Sequence, residues 1–264
     1  MTEIFSYTPP AFSVTDTRFT IDQIPESELI FELSDTYFRF AIKTISNHKF
    51  VWLEDFTLYQ DIDVADFIMD ILNNHHLLSA RFWKNIKFIC HSTIKTVIPS
   101  HLDDYQIDEL WHSLYGEAMP NKLRLHQKIG ENTLLFEVMS KPLIAIQSFY
   151  AEKNIVIKPI EAVVYPATRK TMLLFYRNGL QVFKGFEHFV SFAANDFESV
   201  KKVLDISETQ KIEVLGEVTE YSNIFRTLKN SYPQLQLSPS KGSLVFSQYF
   251  QDIPKHRYFI IFNS

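Results

Sequence analysis

Residues 29–42 read LIFELSDTYFRFAI, and the fold prediction starts from this stretch. Apolar residues lie on both sides of a short polar segment, Ser34–Thr36, a pattern typical of two antiparallel strands joined by a tight turn. A third strand-like run, KFVWLEDFTLY at 49–59, follows a second turn at 46–48. The sequence therefore predicts an antiparallel meander near the start of the chain.

Helices and strands alternate through the rest of this first part of the chain. Three stretches carry apolar residues at helical spacing, and short apolar runs around them are typical of strands. Asp61 or Asp63 is the candidate N-cap of the first helix. The predicted helices cover 63–76, 102–116 and 140–153, and the predicted strands cover 85–91, 91–99, 121–129 and 132–139.

The same order of elements then starts again. Asn178-Gly179 favours a type I′ hairpin turn between two strands, because both residues tolerate positive φ. Asn195, with Glu198 three residues later, forms a capping-box pattern at the start of a helix over 195–206. The remaining predictions are strands over 155–166, 170–179, 180–189 and 211–218, a helix over 222–232, and one or two final strands over 244–250 and 256–263.

These elements predict two mixed α/β units. The first covers residues 1–153 and includes a polar, extended N-terminal arm over 1–25. The second covers residues 154–264. The chain of 264 residues is 46% hydrophobic, which is enough apolar material for two such cores.

Composition disfavours several classes of protein. The net charge of −5 repels phosphate backbones, so a dedicated nucleic-acid-binding protein is disfavoured. The single cysteine, Cys90, lies in an apolar run and is typical of a buried thiol in a reducing compartment. The N-terminus lacks the pattern of a signal peptide, and no run approaches the ~18 apolar residues of a membrane span. We therefore expect a cytoplasmic protein without a membrane span.

Glycine is scarce, which bears directly on phosphate binding. The chain has 6 glycines in 264 residues, about 2%, whereas average usage is ~7%. Phosphate-binding loops need glycine so that the backbone can approach the anion and adopt positive φ. Neither of the glycine-rich nucleotide motifs, GxxxxGK[ST] and GxGxxG, is present.

Three motifs extend from near the start of the chain to its C-terminus: ELSDTYFRFAI at 32–42, VLGEV at 214–218 and FQDIPKHRYF at 250–259. Their order and spacing resemble a bacterial family of unknown function with the actin-like ATPase fold. The resemblance implies an α/β protein of two actin-like (ribonuclease H-like) mixed-sheet subdomains, each a meander of strands flanked by helices. That family has no established activity, so the resemblance implies a fold and no reaction.

The implied fold contacts its nucleotide through three loops, and all three are altered here. In the first loop, the position of a metal-directing aspartate is filled by Glu32. In the second loop, the corresponding aspartate position falls on Tyr165, and the third loop retains a single glycine. The positions that the resemblance assigns to these loops are Glu32, Ser34, Asp35 and Thr36, then Tyr165, Thr168, Arg169, Lys170 and Thr171, and finally Gly216 and Glu217.

The altered residues oppose phosphate binding. Asp35 and Glu217 add negative charge next to the implied phosphate positions. Arg169 and Lys170 attract phosphate by charge, but Pro166 and the long side chains hinder a close backbone approach. We therefore expect a pseudo-ATPase with no catalytic residue, no metal site and no cofactor, and binding of Mg-ATP is disfavoured.

Other polar clusters fit structural roles better than functional ones. His75 and His76 favour a helix end, either as a cap or in solvent, because metal ligands at suitable spacing are missing from the sequence nearby. The aspartates at 61, 63, 66 and 70 are typical of a solvated helix face, and Cys90 and His91 alternate on a strand, which makes them a poor catalytic pair. The FWK segment at 82–84 predicts a surface anchor around Trp83.

The leading hypothesis is a non-catalytic binding or scaffolding protein that acts in an unknown pathway and has a protein partner of unknown identity. The first alternative is a nucleotide-binding protein or slow ATPase, in which Glu32 organises Mg²⁺ and residues 169–171 contact the phosphates. The second alternative is an RNA- or ribosome-associated factor that uses the basic-aromatic segment IPKHRYF at 253–259. Activity as an enzyme is disfavoured.

Overall fold

The structure is a computed structural model that describes residues 8–92, 94–116, 121–129, 131–161, 171–176, 180–183, 189–192, 211–239 and 244–264. The chain divides into two compact units. The first is Met1–Ala162 with Val245–Gln251 and Ser264, and the second is Val163–Leu244 with Asp252–Asn263. The sequence predicts a domain boundary after residue 153, and this boundary stays a prediction. The two compact units meet along the chain between residues 162 and 163.

Both units mix strands and helices. The described helices are α1 (Val64–Asn74), α2 (Asp104–Tyr115), α3 (Ser140–Ala151), α4 (Asn223–Ser231) and α5 (Phe259–Asn263), with 3-10 helices at Ile21–Glu26 and Gln248–Phe250. The described strands are β1 (Phe12–Thr15), β2 (Ser27–Leu33), β3 (Tyr37–Thr44), β4 (Lys49–Thr57), β5 (Asn85–Cys90), β6 (Lys95–Pro99), β7 (Lys122–Ile129), β8 (Asn132–Met139), β9 (Lys158–Glu161), β10 (Thr171–Tyr176), β11 (Leu180–Phe183), β12 (Phe189–Phe192), β13 (Lys211–Gly216), β14 (Gln236–Leu237) and β15 (Val245–Phe246).

The main sheet of the first unit has the order β1-β4-β3-β2-β5-β9, with β15 also paired to β4. The predicted meander forms its centre, since β2, β3 and β4 pair antiparallel. Strands β5 and β9 then continue the sheet in parallel with β2. Every residue of β2 is buried, which explains why residues 29–33 are apolar except for Glu32, whose buried carboxylate needs partners within the fold.

Aromatic side chains form the core on one face of this sheet. Phe31 stacks on Phe38 with ring centroids 5.6 Å apart, and Phe40 stacks on Phe56 at 6.3 Å. Tyr150 of α3 reaches the same cluster, 6.0 Å from Phe31. Aromatic pairs of this kind contribute about 0.5–1.5 kcal/mol each beyond the area they bury, so the meander and α3 are held together at this point.

Helix α1 begins as the sequence predicts, with Asp63 as its N-cap. The Asp63 carboxylate accepts hydrogen bonds from the amides of Ala65 at 2.9 Å and Asp66 at 3.3 Å. Helix α1 packs against α3, which begins at Ser140. Both helices belong to the first unit. The buried side chains of α1 are Phe67, Ile68, Ile71 and Leu72.

A second, smaller sheet in the first unit has the order β6-β8-β7 and is antiparallel throughout. Helix α2 packs on one face of it, where Trp111 forms a small core with Ile98 and Leu135. Asp103 caps this helix, and Gly116 ends it with φ of 77°, a conformation that favours glycine.

The second unit repeats the arrangement of the main sheet. Its sheet has the order β12-β11-β10-β13-β14, in which β10, β11 and β12 pair antiparallel and β13 and β14 follow in parallel. The sheet of the first unit has the same directions along β4-β3-β2-β5-β9. This repetition of one mixed sheet confirms the predicted α/β fold class.

The C-terminal prediction was wrong in part. Residues 256–263 were predicted as a strand, but residues 259–263 form the short helix α5. In the preceding segment only β15 is extended, and a 3-10 helix follows it. All side chains from Phe259 to Phe262 are buried, and a short apolar run buried on every side does not distinguish a strand from a helix. The predicted Asn178-Gly179 turn and the predicted helix over 195–206 lie outside the described residues.

Candidate functional site

The candidate site lies at the carboxyl ends of two parallel strands in the first unit. Glu32 is the penultimate residue of β2, and His91 follows β5 directly. The parallel register places Leu33 opposite Cys90, and the amide of His91 donates to the carbonyl of Leu33 at 3.2 Å. The carboxyl ends of strands in α/β sheets are where ligands commonly bind, so this edge is the natural place to look for function.

Three side chains meet at one carboxylate oxygen. His91 donates from Nε2 to Glu32 Oε1 at 2.7 Å, and the Tyr37 hydroxyl donates to the same oxygen at 2.8 Å. Tyr37 Oη and His91 Nε2 lie 3.2 Å apart, which closes the triangle. Glu32 is only 1% exposed, and its second oxygen, Oε2, has no hydrogen-bond partner among the described residues.

A buried ion pair supports this triangle from the neighbouring strands. Arg39 lies directly opposite Glu32 on β3 and directly opposite Asp55 on β4. Its Nε lies 2.9 Å from Asp55 Oδ1, and its guanidinium lies 3.5 Å from the centre of the Tyr37 ring. Residues directly opposite each other share one face of a sheet, so the charges of Glu32, Arg39 and Asp55 alternate across three strands.

The surroundings keep Glu32 ionised. Burial raises the pKa of the Glu32 carboxyl, but the hydrogen bond and charge of His91 lower it more, with help from Arg39 and Tyr37. The net effect holds the pKa of Glu32 below its ordinary value of 4.5. At neutral pH the site therefore contains a buried carboxylate that groups of the protein itself hold in its ionised form.

The turn of the first loop is closed by its own side chain. The Ser34 hydroxyl accepts hydrogen bonds from the amides of Thr36 and Tyr37, both at 3.1 Å, and Ser34 is buried. Asp35 is exposed at the tip of the turn. Backbone amides in such a turn are the donors that a phosphate would use, and two of them are already occupied by Ser34.

The third loop, in the second unit, is also bonded within the chain. Gly216 ends β13 with φ of 90°, a conformation that favours glycine, and its amide donates to the carbonyl of His256 at 2.9 Å. His256 Nε2 donates to the carbonyl of Val218 at 2.7 Å, and Arg257 forms an ion pair with Glu217 at 2.9 Å. The segment 253–259, which the alternative hypothesis assigned to RNA binding, thus contacts the third loop through His256 and Arg257.

The second loop cannot be placed in the same way. Tyr165, Thr168, Arg169 and Lys170 lie outside the described residues, and Thr171 is the first residue of β10. The structure therefore brings together Glu32, Ser34 and Thr36 of the predicted set in the first unit, and Gly216 and Glu217 in the second.

Sequence reasoning missed the contribution of His91. From the sequence, His91 was considered only as a catalytic partner of Cys90, and that pairing was judged poor. Its partner in the structure is Glu32, which precedes it by 59 residues. The available signal was its position directly after a buried strand that pairs in parallel with β2. Cys90 itself is buried, as predicted.

The structure confirms the predicted capping role of one histidine and corrects a prediction about an aromatic residue. His75 caps the C-terminus of α1; it is buried, and its Nε2 lies 3.4 Å from Glu54 Oε1. Trp83, predicted as a surface anchor, is only 5% exposed, whereas its neighbour Phe82 is 72% exposed. Among the described residues, no group of three or more metal-binding side chains lies close enough to hold an ion.

Comparison with known proteins supports the fold without assigning a reaction. The model of a family described as "Protein of unknown function (DUF3822)" matches residues 16–151. A Bacteroides thetaiotaomicron protein with actin-like ATPase fold and unknown function is 13% identical, with a TM-score of 0.68 over 93% of this chain and 99% of that one. A chain of the PilM–PilN type IV pilus biogenesis complex is 8% identical, with a TM-score of 0.51 over 89% of this chain and 94% of that one.

No curated protein sequence matches the chain. In the part of the chain that the structure describes, none of the helices has both the length and the apolar character needed to cross a bilayer.

Proposed function

The chain belongs to the DUF3822 family of proteins of unknown function, and on that premise we propose that it is a non-catalytic binding or scaffolding protein with an actin-like fold. Its ligand is another protein, and it needs no nucleotide to reach its working conformation. We place this activity in the cytoplasm, in keeping with the single buried thiol of Cys90.

One observation carries this proposal: groups of the first and third loops that would meet a nucleotide are bonded within the chain. Ser34 occupies the amides of Thr36 and Tyr37, and the carbonyl of His256 occupies the amide of Gly216. A phosphate would have to displace these hydrogen bonds, each with a net value of about 0.5–1.5 kcal/mol, before it gained any of its own.

The charges of the loops point the same way. Glu32 Oε1 is already bonded to His91 and Tyr37, so a metal ion would compete with them for this oxygen. Asp35 is exposed at the tip of the first loop and adds a negative charge. In nucleotide-binding proteins a bound cation normally offsets such repulsion, whereas the described partners of Glu32 here are side chains of the fold.

The pilus complex is an example of a protein of similar fold that binds another protein. It joins a protein similar to this fold with a second protein in an assembly, as its name PilM–PilN states. At 8% identity the likeness extends to the fold alone. We therefore take from it only that an actin-like chain of this size can work as one member of a protein complex.

A thermal melt with and without millimolar Mg-ATP or Mg-ADP tests the proposal. A nucleotide at about 100 times its dissociation constant would stabilise the chain by about 2.7 kcal/mol, which for this size is roughly 5–10 °C in Tm. We expect no shift with either nucleotide. ATP hydrolysis by the purified protein would overturn the proposal if it is lost in Glu32→Gln and retained in a control variant at an exposed position, His101→Ala.

One observation favours nucleotide binding as the second candidate. Glu32 Oε2 is buried and has no partner among the described residues, and a buried carboxylate oxygen is costly to leave unbonded. A Mg²⁺-bound nucleotide is one group that could supply the missing partner of this oxygen. A melt that shifts in the wild type but not in Glu32→Gln selects this candidate.

A further inference from the structure

Strand β7 forms an open edge of the three-stranded sheet. It pairs with β8 over eight consecutive residues, and no described strand lies on its other side. It is also the longest edge strand among the described residues, since the other sheet edges have strands of two to five residues. An exposed edge of this length can add a strand from another chain.

The register shows which backbone groups of β7 face outward. The amide of Ser140 donates to the carbonyl of Asn121 at 3.1 Å, so these opposed residues form a hydrogen-bonded pair. In an antiparallel ladder, hydrogen-bonded pairs alternate with non-hydrogen-bonded pairs. Residues 123, 125 and 127 therefore bond to β8, and the amides and carbonyls of residues 122, 124, 126 and 128 point away from the sheet.

The opposite edge of the same sheet, formed by β6, is partly blocked. The amide of Glu137 donates to the carbonyl of Ile94, so by the same alternation Lys95, Val97 and Pro99 of β6 face outward. Pro99 has no amide hydrogen, and the Tyr115 hydroxyl donates to the carbonyl of Lys95 at 2.9 Å. In contrast, the outward backbone groups of β7 have no hydrogen bond to any described residue.

The outward positions of β7 are all basic. They are occupied by Lys122, Arg124, His126 and Lys128. Arg124 pairs with Asp108 of α2, and Lys122 Nζ lies 3.9 Å from Glu137 of β8. His126 and Lys128 are exposed and form no ion pair with a described residue, so positive charge is left at this end of the edge.

The other face of β7 is apolar. Leu123 is 41% exposed and Leu125 is half-buried, and they lie opposite Val138 and Phe136 of β8. A strand added to β7 would thus meet basic side chains on one face and leucines on the other.

We propose that β7 binds an extended acidic segment of the partner protein by strand addition. The segment alternates acidic residues, which face His126 and Lys128, with apolar residues, which cover Leu123 and Leu125. Opposite charges directly across a sheet stabilise the pair, and the outward amides supply the backbone bonds. This inference rests on the proposed binding function and identifies its docking surface.

A second copy of this chain fits the edge less well. Two β7 strands side by side would set lysine, arginine and histidine residues on the same face opposite one another, and like charges across a ladder are destabilising. Basic residues on an edge also protect it from pairing with other chains. That protective role predicts no affinity for an acidic strand, so binding experiments separate it from docking.

The test uses the full chain and a labelled ten-residue peptide in which Glu alternates with Val. We expect saturable binding that weakens at high salt, because the contacts are between exposed charges. The same peptide with Lys in place of Glu should bind at least tenfold more weakly. In amide exchange, the amides of residues 122, 124, 126 and 128 should become protected by the Glu peptide, whereas those of 123, 125 and 127 are protected throughout.

Three variants make the test specific. His126→Pro removes one outward amide without touching the bonds to β8, and Lys128→Glu reverses an exposed charge; each should weaken binding at least tenfold with an unchanged melt. Lys95→Glu on the opposite edge, β6, is the matched control and should bind normally. Equal binding of the Lys peptide, no binding of the Glu peptide, or a dimer that His126→Pro dissociates would overturn the inference.

These outcomes are distinct from those of the nucleotide test. Loss of the β7 site with no nucleotide effect would leave the non-catalytic function in place and remove only its docking surface. Nucleotide hydrolysis together with normal peptide binding would remove the non-catalytic function and retain the docking surface.

Discussion

Replacing His91 with alanine tests whether the first loop is a self-contained polar cluster. The variant removes the donor that lies 2.7 Å from Glu32 Oε1 and leaves a carboxylate that is only 1% exposed. Breaking one partner out of a buried ion pair costs about 3–5 kcal/mol. Because Tyr37 still donates to the same oxygen, we expect the lower end, about 3 kcal/mol, or a fall in Tm of roughly 6–12 °C.

The pH dependence of this effect has a definite sign. In the wild type the pKa of Glu32 is lowered, so its stabilising contribution is present above the unfolded value of about 4.5 and is lost as pH falls through the folded pKa. Removal of His91 takes away the hydrogen bond and the charge interaction that lower the pKa most, so the pKa of Glu32 should be higher in the variant than in the wild type. The stability difference between the wild type and His91→Ala should therefore be largest near neutral pH and shrink below about pH 4.5.

Urea unfolding between pH 3.5 and 7.5 measures both effects, with His101→Ala as an exposed histidine control that should stay within about 0.5 kcal/mol of the wild type. The double variant Glu32→Gln/His91→Ala should lose less stability than the sum of the two single variants, since the pair acts as a unit. A cost for His91→Ala below about 1 kcal/mol, or a difference that does not change with pH, would refute the reasoning.

Other predictions concern the turn, the third loop and the N-terminal segment. Ser34→Ala should destabilise the chain by about 1–3 kcal/mol in a urea titration, because the amides of Thr36 and Tyr37 lose their acceptor, whereas the exposed control Ser79→Ala should have little effect. Gly216→Ala should cost about 1–2 kcal/mol by the same measurement because of its positive φ, more than Arg257→Ala, whose ion pair is partly exposed. The bond to Arg18 holds the pKa of Asp16 well below its ordinary value, so Asp16→Asn should destabilise the chain near neutral pH and make little difference in strong acid; a loss that is equal at pH 2 and pH 7 would contradict it.

The sequence was informative about elements whose signals are local. The alternation of apolar runs and turns around residues 29–59 predicted the meander, and Asp63 was correctly expected to cap α1. Such features depend on residues that are neighbours along the chain, so a single sequence contains them. The strand prediction for the C-terminal segment was wrong because its signal is not local. The short apolar run is buried on all sides, and whether it forms a helix depends on tertiary packing.

The partners of buried charges required the tertiary structure. The sequence identified Glu32 as the altered carboxylate of the first loop, but its bond to His91 arises only because β2 and β5 pair in parallel and bring together residues 59 positions apart. The same holds for Gly216, whose amide is occupied by a carbonyl 40 residues further along the chain. Local patterns determined the fold class and located the altered loops; long-range strand pairing decided whether their polar groups are free or bonded, because burying such a group is favourable only when a distant partner satisfies it.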